Sequence, residues 1–280
     1  MKSVCAGARV ALTLAATILI PAVAVADLTI AVTPRFAADV LLERITPLRD
    51  YLSSILGERI EIVLPKDFAD YEKRVKSGGI DIAFSNPTLY PLTSGVHEAV
   101  AMLDQKKGGD RLRGLVVTRA DSDIVSIEDL VGRKVVIVGK TSTGGYLSQK
   151  VSLVEAGIDP EKDLKLEEAR DNKQENALLS VYYGDADAAF IREDALHIAD
   201  QFIPPSQLRV IRRTAWMPNW AISVKRSLPR EVKDKIRVAV TGLKPGSPEL
   251  EAVKAKAFVP ATDADWDVVR QALGLPIPTR

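Results

Sequence analysis

The sequence predicts an α/β protein made of two Rossmann-like α/β lobes joined by a two-strand hinge. Three observations predict it. Short apolar runs alternate with amphipathic helical stretches from Leu28 onward. The alternation falls into two blocks. Two further apolar runs, around 112–119 and 220–224, lie where the chain would pass to the second block and return. Strand–helix alternation is the pattern of a parallel sheet covered by helices. A chain that crosses twice makes a hinge about which lobes can close on a ligand.

The first block opens with a strand from Leu28 to Val32. Ala37 to Leu56 then carries Val40, Leu41, Ile45, Leu48, Leu52 and Ile55 at helical spacing and stops at Gly57. Pro47 inside this stretch predicts a kink or a division into two helices. Arg59–Leu64 reads as a strand, Phe68–Lys76 as a helix closed by Ser77-Gly78-Gly79, and Ile80–Phe84 as a third strand.

The second block starts with a strand from Leu112 to Arg119. Ser126–Leu130 is a short helix with Ser126 as N-cap. Lys134–Val138 is a strand, and Gly145–Ala156 a helix stopped by Gly157 with Pro160 just beyond. Leu164–Glu168, Asn172–Tyr182, Ala186–Ile191 and Asp194–Phe202 continue as strand, helix, strand and helix. Trp220–Val224 is a returning strand, Pro229–Leu273 reads as mostly helical, and Pro276–Arg280 as a loose tail. This reading places 27–118 and 214–280 in one lobe and 119–213 in the other.

The N-terminus has the three parts of a secretory signal. Lys2 and Arg9 precede an apolar run, Val10–Val25, that ends in Ala24-Val25-Ala26. The run is shorter than the roughly 20 residues of a spanning helix, and Pro21 interrupts it. Residues 1–26 are therefore expected to be a signal peptide cleaved after Ala26, leaving a mature chain that works outside the cytoplasm. The only cysteine, Cys5, lies inside that segment, so the mature chain has no thiol, disulfide or Cys-based metal site.

Lys+Arg number 38 and Asp+Glu 37, or 36 against 37 once Lys2 and Arg9 are removed. That balance argues against nucleic acid or an anionic membrane as partner. The two histidines, His97 in a turn after Gly95 and His197 in an amphipathic helix, show no metal-ligand spacing. No G-x-S-x-G elbow occurs. The reading is of a protein without catalytic residues, metal or cofactor.

In open parallel sheets, ligands bind beyond the carboxyl ends of the strands, which selects four loops. Thr33-Pro34-Arg35-Phe36 follows the first strand; Thr33 and Arg35 suit an anion, or the loop is a plain turn with a solvated Arg35. Ser85-Asn86-Pro87-Thr88-Leu89-Tyr90 starts a helix at Pro87 with Ser85 or Asn86 as cap, and Tyr90 adds a hydroxyl one turn later. Lys140-Thr141-Ser142-Thr143-Gly144-Gly145-Tyr146 is the densest donor cluster, suited either to an oxyanion or to a well-capped turn. It has neither P-loop nor dinucleotide-loop order. Arg192-Glu193-Asp194 follows a strand, with Arg192 and Asp194 as ligand contacts or as a surface charge and an N-cap. Trp216 and Trp220 wall a cleft or pack the hinge.

These loops resemble those of the periplasmic phosphonate-, phosphite- and phosphate-binding components of ABC transporters, a branch of the type II periplasmic binding proteins. The resemblance rests on Val75-Lys-Ser-Gly-Gly-Ile-Asp-Ile-Ala-Phe84 with Asn86-Pro87 and Tyr90. It continues through Val117–Ser122, Ile127–Lys134, Ser142-Thr143-Gly144-Gly145-Tyr146-Leu147, Glu155–Asp163 and Tyr183–Ala189 with Asp194. It implies a venus-flytrap protein that captures a small oxyanion between its lobes and delivers it to a membrane permease. Related chains also serve as sensory partners of a membrane histidine kinase. The family turn reads Ser-Thr-Ser-Gly-Tyr, so Ser142 and Thr143 match and Gly144 replaces the second Ser. Arg192 stands where the family has an acidic or small polar residue, which disfavours a cationic ligand tail. The periplasm as location is likewise implied by the resemblance.

Overall fold

The computed structural model describes residues 28–34, 36–106 and 109–279. The expected signal segment 1–26, its cleavage point and Arg35 lie outside the described residues, as does the side chain of His197. The strands in chain order are β1 (Leu28–Val32), β2 (Ile60–Val63), β3 (Ile82–Ser85), β4 (His97–Gln105), β5 (Arg111–Leu112), β6 (Gly114–Arg119) and β7 (Lys134–Ile137). They continue with β8 (Lys165–Glu168), β9 (Ala188–Arg192), β10 (Leu208–Arg213), β11 (Met217–Pro218), β12 (Ala221–Lys225) and β13 (Ala255–Pro260). One sheet runs β13-β4-β12-β3-β1-β2 and a second β10-β6-β9-β7-β8.

Both sheets are mixed. β1 pairs in parallel with β2 and β3, whereas β12 runs antiparallel to β3 and β4. β7 is parallel to β8 and β9, while β6 is antiparallel to β9 and β10. The parallel part of each sheet, together with the antiparallel β6 and β12, is the part read from the sequence. The strands β4, β10 and β13 escaped it. β4 lies between β12 and β13 and is buried on both faces over most of its length, so it lacks the alternation that marks a half-exposed strand. β13 is an edge strand within the stretch expected to be mostly helical.

The helix Ala38–Leu56 buries Leu41, Ile45, Leu48 and Leu52 against the first sheet and ends at Gly57, whose φ of 69° is the left-handed cap. Pro47 does not divide it: it remains one helix of 19 residues. The buried stripe continues on both sides of the proline and offsets the one backbone hydrogen bond it removes. The expected cap at Ser126 is also corrected. The segment Glu128–Leu130 is a 3₁₀ turn, and the Asp129 carboxylate accepts from the Val125 and Ser126 amides at 3.0 and 2.9 Å.

The crossing between sheets differs from the expected one. β6, which the sequence reading places in the first lobe up to residue 118, belongs wholly to the second sheet. The hinge is a two-residue antiparallel pair, β5 with β11, in which Leu112 faces Met217 and Arg111 faces Pro218. Such a short ribbon ties the crossings together with little sheet to resist rotation. Beside it lies an apolar cluster that includes Tyr90, Met102, Met217, Trp266 and, from the second lobe, Val151.

His97 is not in a turn: it opens β4 and is fully buried. Its Nε2 contacts the Ile80 carbonyl at 3.0 Å and its Nδ1 the Ser223 hydroxyl at 3.2 Å. Burial pulls its pKa down to about 4, so the ring is neutral near pH 7.

Candidate functional site

A cavity of about 730 Å³ opens between the two sheets, within the size range of small-ligand sites. Pro34, Phe36, Phe68, Asn86, Pro87 and Trp220 line its first-lobe side. The opposite side is formed by the loop Val138–Gly144, by Asp171–Gln174 and by Arg192. The carboxyl ends of β1, β3, β7 and β9 thus converge on it, as the sheet rule requires.

The 138–145 loop is the most constrained part of this wall. It leads into a π-helical turn, Thr143–Leu147, that continues as the α-helix Ser148–Glu155. Single π turns are rare and recur at functional sites. Ser142 is the N-cap, its hydroxyl accepting from the Gly145 amide at 3.1 Å. The amides of Thr143 and Gly144, at the first positions, have no preceding turn to bond to. They are the donors that this helix start can offer an anion.

Both glycines are demanded by contact. A Cβ on Gly145 would lie 2.6 Å from Val138 Cγ2, and one on Gly144 only 2.8 Å from Arg192 Cγ and 2.9 Å from its Cβ. Of the three departures from the family pattern, Asn86 for the Gly of the family's Gly-Pro turn, Gly144 and Arg192, the last two therefore touch. The missing side chain at 144 lets the stem of Arg192 lie directly on the loop.

Arg192 is itself held. Its Nε and Nη2 donate to the Asp194 carboxylate, the second bond at 2.7 Å, and its amide donates to Gln174 Oε1 at 2.8 Å. A guanidinium has five N–H donors, so those not spent on Asp194 remain for the cavity that Arg192 lines. Beneath the loop, the fully buried Gln149 donates through Nε2 to the carbonyls of Leu115, Gly144 and Ile191 at 2.9–3.0 Å. It fastens the loop to β6 and β9. Mid-helix position and neutral chemistry gave it no signal in the sequence.

The first-lobe loop behaves differently. Asn86 Oδ1 accepts from the amides of Thr88 and Leu89 at 3.0 and 2.7 Å, so the donors expected for an anion are spent on a side-chain cap. Thr33 is buried, donates to the Phe84 carbonyl at 3.4 Å and accepts from the Asn86 amide at 3.1 Å. Thr88 bridges the lobes: its Oγ1 donates to the Thr141 carbonyl at 3.1 Å and lies 3.1 Å from Thr143 Oγ1. Thr88 was not singled out in the sequence, because its role exists only across the cleft.

Three expected ligand contacts lie elsewhere. Ser85 is buried against Tyr71, with 2.6 Å between hydroxyls. Tyr90 packs edge-on to Trp266 at 4.7 Å between ring centres, donates to Asp263 and accepts from the Ala99 amide. Burial, followed by the Asp263 charge, pushes its pKa far up. Tyr146 donates to Glu161, a carboxylate that also holds Lys140 at 2.8 Å. None of the three lines the cavity: Ser85 is buried at the end of β3, and the helical turns that carry Tyr90 and Tyr146 point their rings into apolar clusters. Thr141, Ser142, Thr143, Asn86 and Arg192 do line it, and Asp194 stands behind Arg192.

Asp171 and Asn172 add a feature with no counterpart in the sequence reading. Both line the cavity with left-handed φ values of 56° and 51°. Asn172 Nδ2 donates to the Val138 carbonyl at 2.7 Å, which holds the strained pair against the base of the 138–145 loop. Of the two tryptophans, Trp220 walls the cavity, and Trp216 is half exposed beneath the Arg113 guanidinium at 4.4 Å.

A family model described as the periplasmic substrate-binding protein of phosphonate ABC transporters matches residues 30–266. The phosphate-import protein PhnD of Mycolicibacterium smegmatis is 26% identical over 269 residues, covering 87% of this chain and 84% of that protein. The tetrathionate sensor histidine kinase TtrS of Salmonella typhimurium is 24% identical over 223 residues; the match covers 69% of this chain and only 36% of that protein. Among solved structures, a binding protein component of an ABC phosphonate transporter from Pseudomonas aeruginosa superposes with a TM-score of 0.63 at 18% identity, covering 88% of this chain and 85% of its own. The chain belongs to the family of periplasmic substrate-binding proteins of phosphonate ABC transporters.

Proposed function

We propose that the chain captures a small tetrahedral oxyanion, of phosphonate, phosphite or phosphate type, in the cavity between its lobes and hands it to the permease of an ABC transporter. The carrying observation is the junction of the Thr143–Leu147 helix start with Arg192 in the wall of one cavity. Amides at a helix start supply directional donors, and an oriented guanidinium supplies charge. Thr141, Ser142 and Thr143 surround the anion from the second lobe, and Asn86 closes on it from the first. Binding across both faces favours the closed arrangement, which is the signal a permease can read.

The function is one of binding, with the signal peptide removed after Ala26 and the mature chain in the periplasm. N-terminal sequencing of the exported protein tests the cleavage site; any mature start other than Asp27 overturns it. Calorimetry with phosphate, phosphite, methylphosphonate and sulfate tests the ligand class. Heat with at least one of the phosphorus oxyanions is expected, and silence with all four removes the proposal. The double variant S142A/T143A should lose at least tenfold in affinity, because each hydrogen bond to a charged group contributes about 1.5–3 kcal/mol.

A second reading has one specific support, the match to part of a sensor histidine kinase. In that reading the closed, anion-loaded chain signals to a membrane kinase. A gene neighbourhood with a permease and an ATPase favours import; a neighbouring kinase without them favours sensing.

A further inference from the structure

The anion cavity does not end at the helix start. Trp220 and Phe36 also form part of the wall of a second chamber of about 530 Å³, so the two spaces adjoin at these rings. Val32, Leu41, Phe84, Leu103, Trp220 and Val253 give this chamber an apolar lining. Phe84 is wedged edge-on between Trp220 and Phe258, with ring centres at 5.2 and 5.8 Å, which fixes the wall. Thr33, Gln105 and Lys254 also line it, and most of the remaining charges at its mouth are engaged with one another or with rings. Lys106 holds Glu251 at 2.6 Å, Arg44 lies 4.0 Å above the ring of Phe36, and Asp194 is held by Arg192.

An inorganic oxyanion has no use for such a space. Apolar walls offer water few partners and would leave an anion unpaired. A cationic tail would find Asp194 already bound by Arg192. Hydrocarbon fits on both counts. We infer that the chamber holds the apolar tail of the ligand, and that the physiological substrate is an alkyl or aryl phosphonate with several carbons beyond phosphorus. The inference rests on the oxyanion reading of the adjoining cavity. Arg192 and Asp194 mark the boundary, with the arginine on the head-group side and the aspartate on the tail side.

Calorimetry on the full mature chain with methyl-, butyl-, hexyl-, octyl- and phenylphosphonate tests this directly. Burying a methylene favours binding by about fourfold, so affinity should climb through butyl and hexyl and level off when the chamber is full. Val253 is half-buried at the end of a short helix, and V253F narrows the chamber. That variant should cut the octyl-to-methyl affinity ratio at least tenfold. If V253F does not fold, the chain-length series on the native protein decides alone. Methylphosphonate binding that is flat or weakens with chain length overturns the tail chamber and leaves the oxyanion proposal intact. Failure of every phosphonate overturns both. Binding of octanoate but of no phosphonate overturns the oxyanion proposal and with it this substrate class.

Discussion

The two loops that face each other across the cleft start from similar sequence and do opposite work. Asn86–Leu89 and Ser142–Gly145 each place a capping side chain before a helical turn. In the first, Asn86 takes two amides for itself, and Pro87 has no amide to give. In the second, Ser142 takes only the Gly145 amide, and two glycines bring the backbone to the cavity surface. Under the proposed function the first lobe is thus a shaped wall and the second lobe the source of donors. A cap and an anion site draw on the same few N–H groups, so a loop that is well capped by its own side chains has little left for a ligand.

The comparison can be broken most severely at Gln149. Q149A removes the amide that these three carbonyls share while the β6–β9 ladder still pairs Leu115 with Ile191, and it should cost about 1–3 kcal/mol. Chemical denaturation reads the loss; a midpoint within error of the wild type would show that the second-lobe loop is held by other means.

The first lobe should be the more sensitive to acid. Its buried His97 has a pKa lowered from 6.5 to about 4, so the unfolded chain binds the proton more readily between those values. The stability contributed by the neutral ring is present above pH 6.5 and is lost as pH falls toward 4, up to about 3 kcal/mol. Replacing His97 by Gln should flatten the pH dependence of the unfolding temperature in that window. An equally steep dependence in H97Q would assign the effect to other groups.

Restoring the family's serine with G144S should cost about 1–3 kcal/mol through overpacking against Arg192 and should lower oxyanion affinity as the arginine is displaced. Combining it with R192G should recover stability, and simple additivity in the double-mutant cycle would uncouple the two sites.

The smallest expected effect is at the bridge between lobes. T88V removes the hydrogen bonds to Thr141 and Thr143 and should weaken closure by about 1 kcal/mol, seen as a roughly fivefold faster ligand release. Release at the wild-type rate would leave Thr88 without a part in closure.

Periodicity made the parallel strands β1, β2, β3, β7, β8 and β9 and their covering helices legible, because each of those helices keeps one apolar face. It could not reveal β4, whose two buried faces erase the alternation, nor the two-residue hinge pair β5–β11, which is too short to carry a period. Among site residues, the Ser142–Gly145 cluster was readable from hydroxyls and glycines gathered at a helix start. Tyr90 looked equally suitable and instead anchors the hinge cluster on Trp266, since a hydroxyl in the sequence does not say which way its ring points.

The sequence by itself determined the alternating α/β architecture, the family and the loops from which a site would be built. The architecture and the loops follow from local spacing and composition, and the family from the resemblance of motifs in their order along the chain. Only the tertiary structure decided how donors are shared out: Asn86 consuming its helix start, Arg192 resting on Gly144, Thr88 reaching the opposite lobe, and an apolar chamber opening behind Trp220. Except for the local Asn86 cap, each is a contact between residues tens of positions apart, and such contacts exist only once burial has fixed the two sheets against each other.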